Sequence, residues 1–181
     1  MQPANPINDV ADVPSLAALV VLFVLLTLAV YLELKESRIP NWLTFPSMVL
    51  GLLIAYLHGQ PFLGASLGGL LIGFGFLFIF YLFGGVGGGD VKLMGAAGAL
   101  MGAELIKPAL FYTTFIGAFL AIMMLIWRRD FWIRAGRGLQ SLAFWRKSSQ
   151  AQVFQLPAIK VPYGIAIATG CVLALLARGS N

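Results

Sequence analysis

The sequence predicts an all-α integral membrane bundle of about six transmembrane helices with one interfacial amphipathic segment. Three observations carry this expectation. About 60% of the residues are hydrophobic and only 10% are charged, far from the balance of a soluble domain. Apolar runs recur along the chain, most of them near the roughly 20 residues needed to cross a hydrocarbon core of about 30 Å. Lys and Arg gather beside alternate ends of these runs, as membrane insertion requires. At 181 residues there is room for one such bundle and little else, so residues 1–181 are read as a single domain behind a polar tail over 1–14.

The first expected span, 15–33, follows a start bearing Asp9 and Asp12. It lacks a small-residue cleavage site, so it reads as a span and not as a signal peptide. The second, 43–58, is introduced by Ile39-Pro40-Asn41, with Pro40 in the loop and Asn41 expected to cap the helix. The third, 62–83, carries Gly64, Gly68, Gly69, Gly73 and Gly75. Gly69-x-x-x-Gly73 is a small-residue contact face, inside the bundle or between protomers, which leaves a homo-oligomer open. The fourth, 91–104, is short and rich in Gly and Ala, so it is expected to be buried among the others. The fifth and sixth are 108–127 and 161–178. Between them, 128–160 interleaves Phe131, Trp132, Phe144 and Trp145 with Arg and Lys. Positive charge alone would suit a solvated loop; the aromatics point to an amphipathic helix on anionic lipids.

With the N-terminus outside, the cytoplasmic segments are 34–42, 84–92 and 128–160. Of the 12 Lys and Arg residues, only Lys107 and Arg178 then fall on the other side. The net charge of +5 is thus a topological signal, and no nucleic-acid partner is expected.

The polar inventory removes most hydrolytic chemistries. The single cysteine, Cys171, lies in an apolar run and allows no disulfide and no Cys-based zinc site. The single histidine, His58, rules out a two-His metalloprotease helix. No metal or organic cofactor is called for. There are seven carboxylates. Asp9 and Asp12 lie in the tail, Asp130 in the basic stretch and Glu104 in a short turn. Glu33, Glu36 and Asp90 remain, and the predicted topology puts all three at the same face. Asp90 follows Gly87-Gly88-Gly89 at the mouth of an apolar run. A charged residue there is costly and therefore a functional candidate, though Asp is also a preferred cap for a helix starting at Val91. The glycines allow a tight turn and close approach, and two carboxyls sharing a site are the chemistry of aspartic proteolysis.

Three segments carry a resemblance: Glu33-Leu34-Lys35-Glu36-Ser37-Arg38-Ile39-Pro40-Asn41-Trp42, then Gly87-Gly88-Gly89-Asp90-Val91-Lys92, then Val161-Pro162-Tyr163-Gly164. In order and spacing they resemble the type IV prepilin peptidases, membrane aspartic proteases with a Gly-x-Gly-Asp motif. The small form associated with Flp/Tad pili, without a methyltransferase domain, fits best. The resemblance implies an endopeptidase of the bacterial cytoplasmic membrane. Its substrates would be prepilins, cut at the cytoplasmic face just before their apolar N-terminal helix. Asp90 and Glu33 would be the acid/base pair. Gly87, Gly89, Ile39, Pro40, Asn41, Pro162, Tyr163 and Gly164 would shape the site, and Lys92 would face headgroups or substrate.

One position departs from the family pattern. Six residues before Ile39 the family normally has Asp; this chain has Glu33. The extra methylene moves the carboxyl by about 1 Å, a misplacement that costs roughly 100-fold when uncorrected. Two alternatives follow: a different first carboxyl, with Glu36 foremost, or a weakened relative that binds pilins as a scaffold. A small transporter with the carboxyls in an ion path fits less well, because such sites lie near the midplane.

Overall fold

The computed structural model describes residues 14–127 and 162–179. The expected interfacial segment 128–160 lies outside them, as do Val161 and nearly all of the polar tail. Every described element is helical: α1 (Leu16–Glu36), α2 (Asn41–His58), α3 (Gln60–Leu82), α4 (Gly88–Trp127) and α5 (Tyr163–Gly179). Four are long and apolar enough to cross a membrane, and α5 is a shorter apolar helix. The chain is a multi-pass membrane protein. The described residues form two units, 14–117 with 162–179, and the helical stretch 118–127. The site belongs to the larger one.

Local chemistry sets the helix ends. Ser15 caps α1, its hydroxyl accepting from Ala18 N–H at 3.3 Å. The helix continues three residues past the expected boundary and stops at Ser37, whose left-handed φ of 54° lets its N–H bond Glu33 O. Glu33 and Glu36 therefore both sit on the last helical turns. Asn41 does not cap α2 as expected. Pro40 occupies the cap position and no side chain closes it. Likewise Asp90 is not the cap of a helix starting at Val91. The helix begins at Gly88, and Asp90 in its first turn reaches back to the Gly87 N–H. This is the acidic half of a capping box.

The fourth and fifth expected spans appear as one element, α4, with a break at Gly102 (φ 81°, ψ 171°). Packing against α3 shows that the chain doubles back there. A side chain at Gly69 would run into Gly98 and Gly102, and one at Gly73 into Met94 and Ile106. Met94 before the break and Ile106 after it thus lie at the same level of α3, as in a helical hairpin. The six-helix expectation holds as six helical segments. The glycine stripe of α3 is used inside the bundle. Ser66 adds an interhelical hydrogen bond to Ala99 O at 2.5 Å.

The short, Gly/Ala-rich arm is the centre of the bundle, as expected. Leu93, Met94, Ala96 and Ala97 are fully buried. They share one buried core with Leu22, Leu25, Leu26 and Ala29 of α1 and Leu77 of α3. The second arm meets α5: Thr113 and Ala109 lie against Gly170, and Gly117 lies under the Tyr163 ring. The Thr113 hydroxyl is buried without a conventional partner. The backbone of Gly170 stands directly beside it, so a weak Cα–H···O contact is its company there.

These contacts define two ends of the bundle. At one, Ser15, His58, Phe62, Ser66 and Gly102 line a cavity of about 40 Å³. At the other are the end of α1, the starts of α2, α4 and α5, and Gly117.

Candidate active site

The second end gathers two carboxyls from separate helices. α1 brings Glu33 to it, partly buried. The first turn of α4 brings Asp90, 8% exposed. The two carboxyls lie within electrostatic reach of each other, and Asp90 within reach of the Tyr163 phenol. Glu36, three residues after Glu33, is exposed and takes no part in this cluster.

Each carboxyl is held by backbone donors. Glu33 Oε2 accepts from Gly164 N–H at 2.8 Å, across 131 residues of chain. The Tyr163 N–H faces the same carboxylate. Both donors belong to the first turn of α5, where N–H groups have no partner within the helix. Asp90 Oδ2 accepts from Gly87 N–H at 3.1 Å. The acceptors are thus met by amides that would otherwise be unpaired, and charge-assisted bonds of this kind are the stronger sort.

Ile39 joins the pieces. It is buried, at 8% exposure. A side chain on Gly89 would stand 3.1 Å from its Cβ, and one on Gly164 would stand 3.6 Å from its Cδ1. The loop after α1 therefore wedges one residue between the segment carrying Asp90 and the segment seating Glu33. A Cβ at Gly89 would make Ile39 give way by a few tenths of an ångström. Gly87 is next to the Asp90 carboxyl, 2.9 Å from where its own side chain would begin.

Lys92 turns away from the carboxyls. Its ammonium donates to Asn41 Oδ1 at 2.9 Å and lies 5.4 Å from the centre of the Phe45 ring. Asn41 therefore serves as a tether for Lys92, in place of the capping role expected for it. Pro40 and Pro162 occupy the approaches to α2 and α5. Phe45 and Gly117 were not legible in the sequence as site residues. Phe45 is one of 14 phenylalanines, and Gly117 one of 21 glycines; only the folded register singles them out. Among the described residues no group of His, Cys, Asp and Glu is arranged to hold a metal ion.

Below the carboxyls, α1, the second arm of α4 and α5 leave a lateral apolar groove of about 700 Å³. Its walls include Phe23 and Val30 of α1, Ile116, and Ala168 and Leu173 of α5. Val30 is one turn from Glu33 and Ala168 one turn from Gly164, so the groove begins just beneath the site and runs away from it.

A curated relative shares 34% identity over 110 residues, 57% of this chain and 38% of its own length. It is the prepilin leader peptidase/N-methyltransferase of Aeromonas hydrophila. The chain thus aligns with well under half of that relative. No solved structure matches. The family model described as the type IV leader peptidase family matches residues 20–122. That stretch includes Glu33, Ile39 and Asp90 and stops short of α5. With more than half of the sequence matched, and with both carboxyl-bearing segments inside the match, the chain belongs to the type IV leader peptidase family.

Proposed function

We propose that this protein is an aspartic endopeptidase of the bacterial inner membrane that removes the leader from Flp-type prepilins. The observation that carries the reading is the meeting of Glu33 and Asp90 at one end of the bundle, in a chain of this family. Water is the nucleophile. The ionised carboxyl takes a proton from water as its oxygen adds to the scissile carbonyl carbon. The protonated carboxyl gives its proton to the amide nitrogen as the C–N bond breaks. General acid and base catalysis of this kind contributes typically 10²–10⁴-fold.

The N-terminus lies outside and the carboxyl pair at the cytoplasmic face, in keeping with the distribution of Lys and Arg. The basic, aromatic stretch 128–160 contacts anionic lipids. The apolar helix of the substrate lies in the groove between α1, the second arm of α4 and α5. The groove starts beneath the carboxyls, which suits a cut made just before an apolar helix. Glu33 is the first carboxyl, since Glu36 stands outside the cluster.

The test is cleavage of a co-expressed Flp-type prepilin in membranes. The parent is expected to process it, and Asp90→Asn to reduce processing at least about 100-fold. Substrate binding without cleavage, unchanged by Asp90→Asn, would establish the scaffold reading instead.

A further inference from the structure

We infer that Gly164 is a positioning residue paired with Glu33, its missing side chain leaving room for the carboxyl that its own N–H holds. The inference rests on the proposed proteolytic role of Glu33 and adds a requirement on a different helix.

Glycine is needed where φ is positive, and Gly164 is not among the residues with positive φ. In a helix glycine is less favourable than alanine, so Gly164 in the first turn of α5 runs against propensity. Close packing is the remaining reason. A Cβ at Gly164 would fall on Glu33 Oε2 and lie 3.3 Å from its Cδ, while its next neighbour, Ile39 Cδ1, is at an ordinary 3.6 Å. Among the described residues, the obstacle to alanine is therefore the Glu33 carboxyl. That same carboxyl accepts the Gly164 N–H at 2.8 Å. A shorter acid on α1 would withdraw by one methylene and leave the space open.

The obstacle is the free end of a side chain, not backbone. Alanine at 164 thus displaces the carboxyl and leaves the helix in place. A displacement of about 1 Å is enough to lose roughly 100-fold in rate. Shortening the acid in the same protein removes the collision.

The experiment compares prepilin cleavage by the parent, Gly164→Ala, Glu33→Asp and the double variant, with membrane abundance as the check on folding. Gly164→Ala is expected to lose about 100-fold, and the double variant to recover at least about tenfold over Gly164→Ala. Full activity of Gly164→Ala, or a double variant no better than it, overturns the pairing. So does recovery by Ile39→Val in place of Glu33→Asp, which would make Gly164 a packing residue for Ile39. A second readout does not depend on turnover. The backbone amide resonance of residue 164 in detergent micelles is expected to move on Glu33→Gln in the parent background and to stay still in the Gly164→Ala background. If the parent cuts nothing but the resonance behaves in this way, the proteolytic reading fails and the pairing stands. If the resonance ignores Glu33, the pairing fails whatever the cleavage result.

Discussion

A carboxylate at the end of an apolar bundle needs donors, and Glu33 and Asp90 obtain theirs by different routes. Asp90 uses the Gly87 amide three residues away; Glu33 uses an amide 131 residues away. The local arrangement was partly legible, because Gly87-Gly88-Gly89-Asp90 reads as a helix start whether or not it does chemistry. The distant one was not, because nothing in Pro162-Tyr163-Gly164 says which carboxyl its amides will meet. Asn41 was misjudged for a related reason. An asparagine at a helix start looks like a cap, and only the fold shows Pro40 in the cap position and Lys92 on the asparagine oxygen. Glu36→Gln is expected to leave prepilin cleavage within about twofold, as for an exposed substitution worth about 0.5 kcal/mol or less. Lys92→Met, which gives up Asn41 and the Phe45 ring, is expected to lower stability by about 0.5–1 kcal/mol, read as thermal unfolding in detergent, with cleavage largely retained.

Helix packing here depends on which glycines meet backbone. Gly69 and Gly98 face each other so closely that neither tolerates a Cβ, whereas Gly64 and Gly75 on the same α3 meet nothing within 4 Å. Sequence shows a glycine-rich helix; it does not show which glycines are in use, because which of them meets a neighbouring helix is set by the folded register. Gly69→Ala or Gly98→Ala is therefore expected to cost about 1–3 kcal/mol through overpacking. Gly64→Ala and Gly75→Ala are expected to be neutral or to stabilise by up to about 1 kcal/mol. Thermal unfolding of the four single variants side by side checks the contrast. The groove offers a second test at this scale. Ala168→Trp fills space beside α1 without touching either carboxyl, and is expected to abolish prepilin cleavage while preserving abundance and helix content.

The whole molecule was the most legible level. Apolar length, glycine content and the placement of Lys and Arg are all recorded one residue at a time, so a membrane bundle of six helical segments could be read without knowing any contact. The reversal at Gly102 was harder to place. Glu104 and Lys107 mark a break in hydropathy but not the position of the turn, and the expected boundaries at 104 and 108 fall just after the true turn at Gly102. That turn makes the first arm of α4 about 14 residues long, or roughly 21 Å, less than the roughly 30 Å of a hydrocarbon core. Asp90 consequently lies below the membrane surface if Gly102 reaches the opposite one. Cysteine labelling in a Cys171→Ala background tests the sidedness: probes at Ser37 are expected to react from the cytoplasm, and probes at Glu104 from outside. The long-range bond to Glu33 also sets an order in time. Segments α1 to α4 already carry both carboxyls, yet the amides that seat one of them arrive only with α5. A chain that has formed α1 to α4 but not α5 therefore holds Asp90 in place while Glu33 is still without the amides that seat it.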